Sequence, residues 1–263
     1  MLVEGLRRRF GGVVAVDDVS FRVERGQVVS IIGPNGAGKT TVFNCITGVT
    51  KPDAGSVALG GRPLRGMPPH DVVATGLART FQGIRLFKGM PVYENVLVGM
   101  YPRQRATILG SLLHTRGQRE EERESLRRTR SWLRFVGLEG VAGVKASELA
   151  YGDQRRLEIA RALAAEPDVL LLDEPAAGMN PSEKRDLMGL VRRIQGLGVT
   201  VVLIDHDMSL VMGVSDRVVV IDRGRKIAEG APQEIQRNQH VIDAYLGSEE
   251  GAEDDEAVNR WPS

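Results

Sequence analysis

Gly33, Pro34, Asn35, Gly36, Ala37, Gly38, Lys39 and Thr40, with Thr41 beside them, follow the order G-x-x-x-x-G-K-[ST], the spacing of a loop that holds phosphate groups. Glycines let backbone N–H groups close around phosphate oxygens, and a helix that starts directly afterwards adds positive potential. In such a loop Lys39 reaches the β- and γ-phosphates and the Thr40 hydroxyl ligates Mg²⁺. A second chemical pair follows the apolar run Val169-Leu-Leu-Leu: the adjacent carboxylates Asp173 and Glu174, ahead of Pro175. Asp173 is placed to hold Mg²⁺, directly or through water, and Glu174 to orient or deprotonate an attacking water. Alone, the first motif also reads as a glycine-rich turn and the second as two exposed acids before a proline. Together they point to binding and hydrolysis of a nucleoside triphosphate.

The elements around these groups must position them. Val28-Val-Ser-Ile-Ile32 is a continuous, mostly β-branched run, the pattern of a buried parallel strand. Lys39 to Ile46 can start a helix that stops at Gly48. Val169–Leu172 forms a second buried strand, with its acids at the C-terminal edge where open parallel sheets bind ligands. Asn180-Pro-Ser-Glu183 opens a helix with Asn180 as N-cap; Leu187, Leu190, Val191, Ile194 and Leu197 supply its apolar face and Gly198 ends it. Val199–Ile204 is a further strand and delivers Asp205-His206-Asp207. His206 can hydrogen-bond a γ-phosphate or serve the structure alone.

Short strands at Met1–Val3 and Val19–Val23, punctuated by Phe10-Gly-Gly12, suggest an antiparallel piece beside this core. Phe10 can stack on a purine or pack in the core; both readings stand. Leu77-Ala-Arg-Thr-Phe-Gln82 reads as a strand ending in an amide. Residues 83–165 look like a helical insertion. Within it Arg116–Phe135 interleaves acids and bases, with Glu124 at pairing distance from Arg127 and Arg128, and Leu126, Leu133 and Val136 on one face. Val218–Ile221 and Lys226–Ala228 read as a hairpin, and the acid-rich residues 248–263 as a disordered tail.

With 263 residues the chain is long enough for one sizeable core. A formal net charge of +1 gives no basic field for wrapping nucleic acid, so no nucleic-acid partner is expected. The single cysteine, Cys45, excludes an internal disulfide and suits a small buried apolar role. No apolar run approaches the roughly 18–20 residues of a membrane-spanning helix, and the N-terminus lacks a signal-peptide core.

Leu149-Ala-Tyr-Gly-Asp-Gln154, followed by Arg155-Arg-Leu-Glu-Ile-Ala-Arg-Ala162, resembles the signature segment of ABC-type ATPases and sits shortly before the Asp173 strand as in that family. The resemblance runs to about residue 247. It implies an α/β fold of the P-loop NTPase class: a mainly parallel core sheet, an antiparallel β subdomain, and the helical subdomain of about 83–165 inserted into one domain, 1–247. It also implies roles: ATP and Mg²⁺ at the phosphate loop, Phe10 as the base-stacking aromatic, Gln82 as the sensor of Mg²⁺ and of a membrane partner. Glu174 becomes the catalytic carboxylate, His206 the switch histidine, and Tyr151 and Gly152 the N–H groups that face the γ-phosphate of a second subunit.

Two features depart from the family consensus. Ala150 and Asp153 replace a serine and a glutamine in the signature, and Asn180 stands where aspartate is commoner. Yet Leu-Ala-Tyr-Gly-Asp-Gln, Ala176-Ala-Gly-Met-Asn180 and Asp243-Ala-Tyr-Leu-Gly247 are similar to the ATPase subunits of branched-chain amino acid importers. That subgroup implies transmembrane permease subunits, a second ATPase chain (a paralogue or a second copy) and, indirectly, a periplasmic substrate-binding protein. The implied place is the cytoplasmic face of a bacterial inner membrane. Leu86, Phe87 and Tyr93 would line the groove for a permease helix, with Phe87 alternatively plain core. The alternatives are an ATPase for lipid or lipopolysaccharide export, a soluble ABC ATPase acting on nucleic acid or ribosomes, and a non-hydrolysing nucleotide-gated module.

Overall fold

The computed structural model describes residues 1–100 and 116–246. Two compact units emerge: Met1–Gln82 with the chain from Asp168 onward, and Gly83–Pro167. The acidic segment 248–263 lies outside the described residues.

The first unit opens with β1 (Leu2–Phe10) and β2 (Val13–Arg22), continues through β3 (Val28–Ile32) and α1 (Lys39–Ile46), and then β4 (Ala54–Leu59), β5 (Arg62–Pro63), α2 (Pro69–Ala74) and β6 (Leu77–Arg79). β1 and β2 form one long hairpin that turns at Gly11-Gly12, considerably longer than the short strands expected at each end. The run Arg7-Arg8-Arg9 hides the strand period, because its charges are met laterally: Arg7 pairs with Asp17 and Arg8 with Asp53. β2, β1, β4 and β5 make an antiparallel four-stranded sheet. Its inward side chains Val3, Leu6, Val16, Val19 and Phe21 join Val42, Phe43 and Ile46 of α1 in one core. Cys45 is buried there, and burial pushes its thiol up to about 11 from an ordinary 9.0.

The second unit contains α3 (Val92–Gly99), α4 (Arg116–Val136) and α5 (Tyr151–Leu163), packed on one another. Glu124 pairs with Arg127 and Arg128 as its spacing requires. The buried stripe of α4 runs through Ser125, Thr129, Leu133 and Val136. Leu126, expected inside, is exposed because it lies about 100° around the helix from Ser125. α5 begins at Tyr151, where the Gln154 N–H donates to the Ala150 carbonyl at 2.9 Å.

The chain then returns to the first unit with β7 (Val169–Asp173), α6 (Pro181–Gly196), β8 (Thr200–Ile204), α7 (Met208–Val214), β9 (Arg217–Asp222), β10 (Arg225–Gly230), α8 (Pro232–Gln236) and α9 (Gln239–Leu246). The six-stranded sheet has the order β10-β9-β3-β8-β7-β6 and is parallel except for the β9–β10 hairpin. Every residue of β3, β7 and β8 is buried, as expected for strands covered on both faces. Burying each Val, Leu or Ile there contributes about 1.5–3 kcal/mol. Leu187, Leu190, Val191 and Ile194 of α6 are buried. Leu197 is exposed, since the helix closes at Gly196 and Leu197 follows as its C-cap. No helix among the described residues is long and apolar enough to cross a membrane.

Asn180 caps α6: its Oδ1 accepts from the Ser182 and Glu183 N–H groups, and Glu183 accepts from the Asn180 N–H in return. Aspartate can make the same bonds. Asn180→Ala is expected to lower stability by about 1 kcal/mol and Asn180→Asp to leave it unchanged, measured as the shift in denaturant midpoint.

Candidate nucleotide-hydrolysis site

Parallel register places the functional loops. Ile31 of β3 and Asp173 of β7 both lie opposite Ile204 of β8, so the three strands end at one level. The phosphate loop, the Glu174 loop and the Asp205-His206-Asp207 loop therefore leave from the same carboxyl edge of the sheet.

The phosphate loop is a close-approach structure. At Gly38 φ is +101°, and an added Cβ would collide with the Ala15 carbonyl oxygen of β2; at Gly33 it would collide with the Ile221 carbonyl oxygen of β9. Gly36 differs: its φ of +78° calls for glycine, but the space around it is open. The Ala37 carbonyl accepts from the Gly224 N–H at 3.0 Å, and the Gly224 carbonyl from the Asp17 N–H at 2.8 Å. Both sheets thus hold the loop from behind. Pro34 and Ala37 are buried, Asn35 and Thr40 exposed, Thr41 half-buried. Lys39 Nζ donates to the Gly33 and Pro34 carbonyls at 2.7 and 2.8 Å. Burial lowers the Lys39 pKa from its ordinary value, while the Glu174 and Asp173 carboxylates oppose that shift. The cation and both acids therefore share one electrostatic environment.

Glu174 has φ +46°, a left-handed backbone rare outside glycine. Its N–H donates to the Ile204 carbonyl at 2.7 Å, which holds the turn. Such strain costs on the order of 1–3 kcal/mol and concentrates at functional sites. The Glu174 carboxylate accepts from Gln82 Nε2 at 2.9 Å, so the structure brings together two residues 92 positions apart in the chain. The strand expected to run through Gln82 ends at Arg79, leaving Gln82 in an exposed connection.

His206 is exposed just beyond β8. Its neighbour Asp205 is buried and accepts from the Ala176 N–H at 3.0 Å and the Asp207 N–H at 2.9 Å. Burial raises its pKa while those two N–H groups pull it down. Asp205 thereby fastens the loop after Glu174 to the turn that carries His206. Asp207 caps α7 through the Leu210 N–H and pairs with Lys184.

Phe10 is 47% exposed, which removes the core reading, and Arg8 lies over its ring at 4.6 Å. It closes the hairpin against Val13, two residues before the Ala15 carbonyl that abuts Gly38. Tyr151 and Gly152 lie in the other unit, in the first turn of α5. Arg155 reaches the Tyr151 hydroxyl at 3.2 Å, and Asp153 pairs with Arg156. Phe87, also in that unit, is 48% exposed and not core. Its loop is held by buried Asn95, which accepts from the Phe87 N–H at 2.9 Å and donates to the Phe87 and Pro91 carbonyls.

Two residues of this site carry no motif. Asp205 appears in the sequence only as one acid of a strand-end cluster. Arg79 interrupts an apolar strand, and a cation in such a place requires a counter-charge; that was the available signal, and it leads to Asp173.

Residues 16–177 match the ABC transporter family. The chain belongs to the ATP-binding proteins of ABC transporters, ATPases coupled to transport. Residues 225–251 further match the family described as branched-chain amino acid ATP-binding cassette transporter. The high-affinity branched-chain amino acid transport ATP-binding protein LivG of Salmonella typhimurium is 48% identical over 94% of this chain and 97% of its own. The corresponding BraF protein of Pseudomonas aeruginosa is 49% identical over 93% and 96%. Among solved structures, the ADP conformation of an ATP-binding cassette of an ABC transporter superposes with a TM-score of 0.81 at 32% identity, covering 94% of this chain and 98% of that one.

Gly36→Ala is expected to destabilise the protein by about 1–2 kcal/mol, the cost of a left-handed non-glycine residue. Gly38→Ala should cost about 2–5 kcal/mol because overpacking against Ala15 adds to that strain. Denaturant unfolding of both variants checks the order.

Proposed function

We propose that this chain is the ATP-hydrolysing, energy-coupling subunit of an ABC importer for branched-chain amino acids. The observation that carries the substrate class is similarity of 48–49% to LivG and BraF over nearly the whole chain, continued by the C-terminal match at 225–251. Neither lipid export nor action on nucleic acid or ribosomes has comparable support. A hydrolysing rather than merely gating role is favoured by the Asp173 and Glu174 carboxylates lying close enough to act on the Lys39 ammonium.

In this reading residues 1–247 are one ABC ATPase domain with the helical segment 83–165 inserted, and Gly33–Thr41 cradles ATP. Backbone N–H groups and the Lys39 ammonium bind its phosphates, and Phe10 offers an exposed ring to the base. Mg²⁺ suits the donor set, since this ion is usually held by one or two carboxylates plus substrate phosphates. Thr40, Gln82 and Asp173 would hold it; among the described residues the buried Asp173 Oδ1 has no hydrogen-bond partner, as an oxygen reserved for such a group should. When bound, the ion neutralises charge that develops on the phosphates.

Glu174 takes the proton of the attacking water, with the Gln82 amide orienting its carboxylate. His206 donates toward the γ-phosphate. The N–H groups of Tyr151 and Gly152 at the start of α5 face the γ-phosphate of a second ATPase chain paired head-to-tail. Ala150 contributes no hydroxyl there, so backbone donors carry that contact. ATP closes the pair, hydrolysis reopens it, and the cycle drives transmembrane permease subunits at the cytoplasmic face of the membrane, supplied by a periplasmic binding protein. The partner ATPase is a paralogue or a second copy.

Glu174→Gln should lower hydrolysis by about 100-fold or more while retaining ATP binding, and should trap a dimer on a sizing column. Recovered from membranes with ATP, the tagged variant should bring two multi-span permease chains and a second ATPase, identified by mass. Monomers throughout, or no membrane partner, would sink the proposal. Phe87→Ala should impair transport and spare nucleotide affinity; unchanged transport removes Phe87 from the permease groove.

A further inference from the structure

β6 ends in a buried cation. The Arg79 side chain is 6% exposed and that of its partner Asp173 2%. Arg79 Nη2 donates to Asp173 Oδ2 at 2.6 Å. Nη1 donates to Asn44 Oδ1 at 2.8 Å, in α1, and to Thr47 Oγ1 at 3.1 Å, just past its end. The guanidinium also lies over the rings of Phe43 at 5.5 Å and Phe81 at 5.0 Å. One side chain therefore touches the helix that extends the phosphate loop, the acid of the Asp173–Glu174 pair, and the residue next to Gln82. The other Asp173 oxygen, Oδ1, is buried with no hydrogen-bond partner among the described residues. A buried carboxylate oxygen without a donor is costly unless an external group supplies one.

We propose that Arg79 is a positioning residue for hydrolysis. By holding Oδ2 it leaves Oδ1 as the one oxygen of Asp173 offered to Mg²⁺ or its water shell. By holding Asn44, Thr47 and the Phe81 ring, it ties that orientation to the phosphate-loop helix and to the approach to Gln82. The inference rests on the reading of Asp173 given above. Lysine cannot replace the fork: a single ammonium keeps the charge but cannot lie flat between two rings while bonding acceptors on two sides. A residue that merely neutralised Asp173 would be replaced by lysine without effect on Mg²⁺.

The test uses the full chain carrying Glu174→Gln, so that ATP is not consumed, and calorimetric titration with ATP in Mg²⁺ and in EDTA. Adding Arg79→Lys should weaken binding in Mg²⁺ by about 10-fold, the usual effect of losing a partner behind a metal-facing carboxylate, and leave the EDTA affinity within about twofold. In the chain with Glu174 intact, the Mg²⁺ concentration for half-maximal hydrolysis should rise by about the same factor, with kcat falling more than KM rises. Asn44→Ala, which removes one anchor and keeps the ion pair, should move both readouts the same way by about threefold. Mg²⁺ dependence unchanged in both variants would overturn the role. So would an equal loss in Mg²⁺ and EDTA accompanied by a lower Tm, which marks a structural part only. Binding that is equal in Mg²⁺ and EDTA when Arg79 is present would overturn the reading of Asp173 itself, and this inference with it.

Discussion

The parallel register of three buried strands is the constraint on which this molecule depends. β3, β8 and β7 are hydrogen-bonded side by side with Ile31, Ile204 and Asp173 at one level. Because each strand is covered on both faces, a slip by one residue would exchange which face every side chain meets, and would also move its terminal loop out of line. The chemistry therefore inherits its geometry from apolar packing. Lys39, Glu174 and His206 are brought to one edge by strands whose own residues, Asp173 at the end of β7 apart, only pack.

Around that edge the structure holds costly features in place. Glu174 keeps a left-handed backbone, anchored by its N–H on the Ile204 carbonyl. Asp173 keeps a buried charge, paired directly with Arg79. Removing one partner from such a pair costs about 3–5 kcal/mol, because the remaining ion is left uncompensated. Asp205 is buried as well, and its two N–H contacts join the loop after Glu174 to the His206 turn. These groups join the acids at the ends of β7 and β8 into one cluster, consistent with catalysis that relies on preorganised charge.

The antiparallel sheet has a matching role. Its β2 strand supplies the Ala15 carbonyl behind Gly38, and the turn after β9 supplies Gly224 behind Ala37. A glycine in the phosphate loop is thus required for two separate reasons. Gly36 needs only its backbone angle, whereas Gly33 and Gly38 need the missing Cβ as well.

Much of this was legible in the chain. Gly33–Thr41, the Val169–Leu172 strand with the two acids at its edge and the Asn180-Pro-Ser-Glu183 cap are local patterns: their meaning depends on neighbours within a few residues, where backbone and capping rules operate. The same holds for α1, which spans Lys39–Ile46 as its spacing predicts. Patterns failed where a distant partner decides. Arg7-Arg8-Arg9 concealed a strand because Asp17 and Asp53 meet its charges, and Leu126 was drawn inward by periodicity although Ser125 and Thr129 hold that face. Leu197 turned outward because its helix had already closed. Residue type and short-range spacing alone mark a candidate phosphate loop and the strands that can be buried. That Arg79 faces Asp173, that Gln82 reaches Glu174 and that Ala15 backs Gly38 follows from how the strands assemble. Those contacts join residues far apart in the chain, and sheet register, a property of no single segment, sets them.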